Sequence, residues 1–282
     1  MRISRLIDKK KTALSFEIFP PKADMEIDID GILNGLAGLK PDFISVTNSA
    51  GGNGATDGTL DIAEKIKNRY NTESIMHLVC SGASKQSIRD KLSAAYERGI
   101  DNILALRGDK ANAEGSDFYY AEDLIKAIDG KKFCIGAAAY PEGHIDAPDL
   151  NTDLDYLKRK ADCGVDFLTT QLCYDNNLLF KFRDLARKKG ITAPILYGIM
   201  PVISKSQVSR MIFMCGVSLP GEIVKILYRY ENNQEDLLKA GIDYAAKQIN
   251  GLIQNGADGI HIYTMNKPDI AGRIVSRLDN LY

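Results

Sequence analysis

Residues 13–19 read ALSFEIF, a short and largely apolar segment of the length of a β-strand. Seven further segments of this kind follow, and each is separated from the next by a longer stretch with helical character. They lie at 43–48, 74–81, 102–107, 133–140, 167–173, 194–200 and 259–265. Several are apolar almost throughout, which is typical of strands in a parallel sheet that helices cover.

Helix candidates fill the intervals between these segments. In residues 85–98, for example, Ile88, Leu92, Ala95 and Tyr96 form an apolar stripe at helical spacing. The other candidates are 59–70, 119–129, 152–163, 176–189, 204–215, 234–255 and 268–280. The chain therefore alternates strands with helices from one end to the other.

Eight strands that alternate with helices predict an α/β fold of the closed (β/α)8 TIM-barrel type. Extra helices are expected in the long interval at 201–258, between the seventh and eighth strands. An open doubly wound sheet is the alternative, but its G-x-G-x-x-G fingerprint is absent after the first strand. We predict a single barrel domain over residues 1–282.

The composition excludes several classes of function. The formal net charge of −1 favours neither nucleic acid nor an acidic membrane surface as a partner. The basic N-terminus lacks the apolar core of a signal peptide, and no apolar run is long enough to cross a membrane. The five cysteines are scattered without a C-x-x-C pair, which argues against a disulfide framework or a structural zinc. We expect a cytoplasmic protein without a metal site.

In such a barrel the active site lies at the carboxyl ends of the strands. Glu17 lies near the end of the first strand, where a carboxylate at an apolar barrel mouth is a candidate general acid. A strand-end glutamate paired with a basic residue is the plainer interpretation. The fourth strand ends in Arg107, Gly108 and Asp109. The glycine there would let a flat ligand approach the backbone, although the charged pair could also be an ordinary ion pair.

Polar and aromatic groups follow other strands as well. The second strand ends in Thr47 and Asn48 before a glycine-rich loop that could hold a phosphate but matches no P-loop. His77 lies inside the third strand, where a histidine is more often a structural residue. Tyr140 and His144 follow the fifth strand, where they could stack on a ligand ring or pack within the loop.

The sixth strand and the helix after the fifth strand complete this set. Gln171 needs a hydrogen-bond partner if it is buried, and a ligand could supply one. Arg159 and Lys160 belong to a basic cluster on the helix at 152–163, which is either a solvated face or a clamp for a pyrophosphate. Together the strand ends predict a large, flat and anionic ligand.

Seven segments form an ordered set: SFEIFPPK, SVTNSAGG, ALRGD, AAAYPEGH, LKRKADCGVDFLTTQLCYD, GIMPV and HIYTMNK. The set resembles the signature segments of the bacterial methylenetetrahydrofolate reductase family, from Ser15 to Lys267. The resemblance covers the catalytic barrel and not the regulatory domain of the eukaryotic enzymes. It implies a single catalytic barrel that reduces 5,10-methylenetetrahydrofolate to 5-methyltetrahydrofolate, with hydride passing from NADH or NADPH to FAD and then to folate.

The resemblance also implies roles for individual residues. Glu17 matches the family's general acid, which assists protonation at N10 of the folate. Asp109 matches a catalytic residue that lies near the flavin and contacts the pterin, and Gln171 matches another pterin contact. Gln207 and Lys267 match further positions at the folate and nicotinamide site.

The FAD contacts implied by the resemblance are Thr47, Asn48, Ala50, His77, Arg107, Gly108, Asp109, Tyr120, Ala121, Tyr140, His144, Ala147, Asp153, Tyr156, Arg159 and Lys160. Among these, Arg159 and Lys160 match positions near the FAD phosphates. The sequence departs from the family pattern at three positions. Asn48 stands in place of a tyrosine, Tyr156 in place of an asparagine and Lys267 in place of an arginine, so these contacts differ in detail.

Family members usually self-associate, so the resemblance favours a homo-oligomer and leaves open a partner subunit for electron delivery. The alternative function is a flavin-carrying electron-transfer subunit that depends on such a partner. A flavin barrel that oxidises an amino acid, such as proline dehydrogenase, is another. A folate-binding methyltransferase barrel is less favoured, because it would not need the residues that match FAD contacts.

Overall fold

A computed structural model describes residues 1–9, 11–21, 27–48, 56–108 and 116–279 of the chain. Eight parallel strands form a closed barrel in chain order, and strand β1 pairs with both β2 and β8. The strands are β1 (Ala13–Ile18), β2 (Phe43–Val46), β3 (Glu73–Val79), β4 (Asn102–Leu106), β5 (Cys134–Ala139), β6 (Phe167–Thr170), β7 (Ile195–Ile199) and β8 (Gly259–Tyr263). All the predicted strands are present, and the TIM-barrel fold is confirmed.

Helices surround the barrel. They are α1 (Ile3–Ile7), α2 (Ile29–Ala37), α3 (Thr56–Tyr70), α4 (Lys85–Glu97), α5 (Ala121–Ala127), α6 (Leu150–Asp162), α7 (Asn176–Lys188), α8 (Lys205–Cys215), α9 (Gly221–Arg229), α10 (Gln234–Gln254) and α11 (Pro268–Val275). The extra helices predicted between the seventh and eighth strands are α8, α9 and α10. Sequence analysis did not predict α1 and α2, and it extended the last helix beyond its end at Val275.

The side chains that face the barrel axis are arranged in layers. The lowest layer is apolar, and Ile3 and Ile7 of α1 pack against it at the amino ends of the strands. Its strand residues are Ala13, Phe43, Ile75, Leu104, Cys134, Phe167 and Leu196. Residues two apart on a strand share a face, so the next layer holds Ser15, Ser45 and other polar side chains. The barrel interior therefore changes from apolar to polar toward the carboxyl ends of the strands.

The main apolar core lies between the outer faces of the strands and the helices that cover them. A smaller apolar cluster joins the ends of β6 and β7 to α8, α9 and α10. Of the helices in the described ranges, none combines the length and the apolar character needed to cross a membrane.

Candidate active site

A cavity of about 600 Å³ opens at the carboxyl ends of the strands. Predicted site residues make up much of its lining: Glu17, Thr47, Asn48, His77, Arg107, Gly108, Tyr140, His144 and Gln171. They come from segments far apart in the sequence, and the closed barrel brings them together.

A second cavity, of about 620 Å³, adjoins the first on the side of α5 and α6. The two cavities share the side chains of Arg107, Tyr140, His144 and Asp146 as a common wall. The second cavity is lined by further predicted residues: Tyr120, Ala121, Ala147, Asp153, Tyr156, Arg159 and Lys160. The two cavities together form one elongated space that starts at the barrel axis and extends along α5 and α6.

Four predicted site residues fall elsewhere. Ala50 and Asp109 lie outside the described residues. Gln207 lines neither cavity, because its side chain is buried against the loop after β7, where it donates to the Pro201 carbonyl at 3.2 Å. Lys267 is an exposed residue immediately before α11.

Glu17 lies at the boundary between the barrel interior and the first cavity, with 19% of its side chain exposed. Its Oε2 atom lies 3.5 Å from Nε2 of His261 and 3.8 Å from Nε2 of His77. Within the described part of the chain, its titratable neighbours within 4 Å are these imidazoles rather than a lysine or arginine. The basic partners of Glu17 are therefore two buried histidines of the barrel interior.

The backbone around Glu17 is fixed by the turn after β8. The Thr264 hydroxyl donates to the Glu17 carbonyl at 2.7 Å. The Asn266 side chain donates to the Phe19 carbonyl at 2.8 Å and accepts from the Phe19 amide at 3.0 Å. These bonds tie the end of β1 to the end of β8, so the Glu17 side chain projects from a rigid support.

His77 is held inside the barrel below the cavity. Its Nε2 atom lies 2.6 Å from the Ser45 hydroxyl oxygen. Burial lowers the pKa of His77 to about 4, and the nearby Glu17 carboxylate only partly opposes this effect. His77 is therefore neutral at physiological pH.

The depressed pKa of His77 makes stability depend on pH. Its folded value of about 4 lies below its ordinary value of 6.5, so the unfolded chain binds this proton more readily between those pH values. The stability that the folded protein gains from a neutral His77 is fully present above the ordinary pKa of 6.5, and it is lost as the pH falls toward the folded pKa of about 4. We expect the free energy of unfolding, from urea titrations, to lose about 2 kcal/mol between pH 7 and pH 5 from this group. His77→Asn, which cannot titrate, should lack this component, and an unchanged pH dependence in the variant would contradict the assignment.

The common wall of the two cavities is built from side chains that contact one another. A guanidinium nitrogen of Arg107 lies 3.0 Å from a carboxylate oxygen of Asp146. The rings of Tyr140 and His144 pack edge to face with their centroids 4.6 Å apart. Burial raises the pKa of Tyr140 to about 12, so its hydroxyl stays protonated and can donate a hydrogen bond. This wall offers an aromatic surface and hydrogen-bond donors to a ligand.

Gly108 follows β4 at this wall with a φ of +85°. A Cβ atom at this position would lie 2.3 Å from Cγ1 of Val79. Both the left-handed backbone and the contact with the neighbouring strand therefore require glycine here.

The two basic side chains of α6 that line the second cavity differ in environment, and the Lys160 ammonium lies 5.8 Å from the centre of the Tyr140 ring in the common wall. The Lys160 ammonium donates to the Ala138 carbonyl at 2.6 Å, and burial lowers its pKa to about 8 against the opposing effect of Asp153. Arg159 is 59% exposed, lies 3.5 Å from a Glu122 carboxylate oxygen and stacks over the Tyr156 ring. An anion nearby favours the charged form of a buried ammonium, so the part of the cavity beside Lys160 suits a phosphate group.

Sequence analysis missed several side chains that line the first cavity or lie directly beneath it. They are Ser15, Ser45, Ile145, Asp146, Met214, Cys215, His261 and Tyr263. His261 and Tyr263 lie two positions apart on β8, and the Tyr263 hydroxyl donates to the Thr170 carbonyl at 2.7 Å. Their period-two spacing in GIHIYTM was a usable signal that both face one side of the strand. Across the described ranges, no group of three or more His, Cys, Asp and Glu side chains could hold a metal ion.

Several known proteins are similar to this chain over most of its length. The family model for methylenetetrahydrofolate reductase matches residues 2–279. The probable methylenetetrahydrofolate reductase (NADH) of Oryza sativa subsp. japonica is 35% identical over 95% of this chain and 48% of its own length. Methylenetetrahydrofolate reductase (NADH) 1 of Arabidopsis thaliana is also 35% identical, over 94% of this chain and 48% of its own length. The chain thus spans about half the length of these plant relatives.

A bacterial relative is similar over most of its own length. The 5,10-methylenetetrahydrofolate reductase of Escherichia coli K12 is 33% identical over 94% of this chain and 90% of its own length. A solved structure from Clostridium thermocellum, described as binding two copies of 5-methyl-5,6,7,8-tetrahydrofolic acid, has a TM-score of 0.70. It covers 100% of this chain at 16% identity, so this likeness concerns the fold alone. On the family match and these identities, the chain belongs to the methylenetetrahydrofolate reductase family.

Proposed function

We propose that this chain reduces 5,10-methylenetetrahydrofolate to 5-methyltetrahydrofolate, with NADH or NADPH as electron donor and FAD as cofactor. Membership of the family supports the reaction, and the names of the plant relatives support NADH. The observation that carries the proposal is Glu17, a carboxylate that faces imidazoles at the entrance of a cavity lined by the predicted cofactor residues.

The residues present fit an FAD group. The elongated space has an aromatic and hydrogen-bonding wall at Tyr140 and His144, which suits a flat ring system. Lys160 beside the Tyr140 ring and the more exposed Arg159 would hold the phosphates, and a bound phosphate would favour the charged form of Lys160, which burial disfavours. When bound, the flavin would supply hydride chemistry that no side chain can perform.

The chain's own contribution to the reaction is proton donation and positioning. During reduction the bond between the methylene carbon and N10 breaks, its electron pair stays on N10, and the carbon gains a hydride. Glu17 would deliver the proton that N10 needs to become neutral. Gln171 lines the same cavity, and its side-chain oxygen accepts from the Leu172 amide at 2.9 Å, which would leave the NH₂ group for the pterin.

The test is an anaerobic absorption experiment on the purified chain reconstituted with FAD. We expect a flavin spectrum that NADH or NADPH bleaches and that 5,10-methylenetetrahydrofolate restores. Flavin that neither nucleotide bleaches, but that folate reoxidises after reduction by dithionite, would favour the partner-dependent subunit. Chemically reduced flavin that folate does not reoxidise would contradict the proposed reaction. The homo-oligomer and the cytoplasmic location stay predictions, which sedimentation and cell fractionation would test.

A further inference from the structure

The hydrogen bonds of Ser15 determine which nitrogen of His261 carries a proton. The Ser15 hydroxyl oxygen lies 3.1 Å from the Ile260 carbonyl oxygen and 2.8 Å from Nδ1 of His261. A carbonyl can only accept, and a hydroxyl has a single hydrogen to donate. Both contacts are hydrogen bonds only if Ser15 donates to the carbonyl and Nδ1 of His261 donates to Ser15. Nδ1 is therefore the protonated nitrogen of the neutral ring.

The tautomer of His261 determines which group the ring presents to Glu17. In a neutral ring with a hydrogen on Nδ1, the Nε2 atom presents a lone pair. That lone pair lies 3.5 Å from Oε2 of Glu17, at the long end of the hydrogen-bond range. An ionised carboxylate and an unprotonated ring nitrogen are both acceptors and repel each other. One proton placed between them, on either atom, converts the repulsion into a hydrogen bond.

The other groups that face this pair do not supply that proton. His77 on β3 lies 3.8 Å from Glu17, but it contacts Ser45 and its pKa is lowered to about 4 by burial. Tyr263 on β8 packs edge-on against the His261 ring at 5.3 Å and donates its hydroxyl to a carbonyl. Burial raises the pKa of Tyr263 well above its ordinary value, so it stays neutral. The charge of the cluster therefore rests on Glu17 and His261.

We propose that His261 is a positioning residue that holds one proton jointly with Glu17, so that Glu17 enters each turnover protonated. The inference rests on the proposed function, in which Glu17 delivers this proton to N10. Delivery would leave a carboxylate and a neutral imidazole with a net charge of −1. The pair would then regain one proton from solvent through Glu17, since His261 itself is almost fully buried.

Histidine ¹⁵N NMR tests the shared proton without flavin or substrate. The chain contains three histidines, so His261→Gln identifies the His261 signals by their loss. We expect Nδ1 of His261 to carry a hydrogen throughout the neutral range. Glu17→Gln removes the negative partner and should lower the pH at which Nε2 of His261 becomes protonated. An unprotonated Nδ1, or a His261 signal that Glu17→Gln does not change, would overturn the inference.

Kinetics test the consequence for the reaction. His261→Gln keeps an amide that can donate to Glu17 but cannot bind a proton. We expect reoxidation of reduced flavin by folate to slow by roughly 10- to 100-fold, while bleaching by the nucleotide stays within about twofold. As pH is raised, the folate step of the variant should fail at a lower pH than that of the unsubstituted chain, because Glu17 no longer shares a proton with an imidazole.

The possible outcomes separate the two proposals. A slower folate step with an unmoved pH profile would reduce His261 to a structural residue and overturn its role. A variant with wild-type rates at every pH would do the same. Failure of the wild-type chain to reoxidise reduced flavin with folate would instead contradict the proposed function, and the NMR result on the shared proton would stand apart from it.

Discussion

Glu17→Gln is expected to slow the reoxidation of reduced flavin by 5,10-methylenetetrahydrofolate by roughly 10²- to 10⁴-fold. Glutamine keeps the size of the side chain and can still contact His261, but its amide is not acidic and cannot give up a proton to N10. Without that proton, N10 would keep the electron pair of the broken bond as a negative charge, so ring opening becomes unfavourable. Hydride transfer from the nucleotide needs no side-chain acid and should change by less than about threefold. Anaerobic stopped-flow absorption of the flavin measures the two half-reactions separately.

Glu142→Gln is the matched control for this prediction. Glu142 lies on the loop after β5, lines neither cavity and accepts hydrogen bonds from the Ser218 amide at 3.1 and 3.2 Å. A glutamine oxygen can still accept from this amide, so both half-reactions should be unchanged. Equal slowing of both half-reactions in Glu17→Gln would contradict the general-acid role and would assign Glu17 to the integrity of the flavin site.

The sequence predicted the barrel because its strands are marked by local composition. Each strand is a short apolar run between helical stretches, and the alternation itself implies the parallel sheet. The helix α2 escaped prediction because it is short and contains Gly31 and Gly35, which weaken its helical signal. The helix α6 begins at Leu150, before the predicted residue 152, because the Asp149 side chain accepts from the Thr152 amide as its N-cap.

The candidate site was predictable only where a residue ends a strand or matches a family segment. Glu17 satisfied both conditions. His261 is separated from Glu17 by 244 positions and contacts it because β8 closes the barrel against β1. That closure pairs Glu17 with Tyr263 and Ser15 with His261 in register. The two-residue spacing in β8 indicates that His261 and Tyr263 share a face. Only the pairing of β8 with β1 in the structure shows which residues of β1 lie beside them.

Close approaches of backbone to backbone also leave no clear mark in a sequence. Gly241 reads as an ordinary residue of the long helix α10, where glycine is unfavourable. In the structure this helix passes directly over the loop that follows β7. The Gln234 side chain of α10 donates to the Ile203 carbonyl, and Gln207 of α8 donates to the Pro201 carbonyl. The loop is therefore held by helices on two sides.

Gly241→Ala is expected to lower the free energy of unfolding by about 3 kcal/mol. A Cβ atom at this position would lie 1.8 Å from the Val202 carbonyl oxygen, and backbone atoms cannot turn aside as a flexible side chain can. Either α10 or the clamped loop must move, which breaks packing and hydrogen bonds at the carboxyl end of β7. Urea denaturation followed by circular dichroism measures the change.

Gly221→Ala distinguishes this steric effect from a general effect of alanine in a helix. Gly221 is the first residue of α9, and an added Cβ there meets no atom within 4 Å. Alanine favours the helix over glycine by up to about 1 kcal/mol, so this variant should be as stable as the original chain or slightly more stable. Equal stability of the two variants would contradict the prediction. It would mean that α10 and the loop after β7 can separate enough to admit a Cβ atom, which would otherwise lie 1.8 Å from the Val202 carbonyl oxygen. If only Gly241→Ala is destabilised, the contact itself explains why α10 tolerates a glycine where its helical propensity would favour alanine.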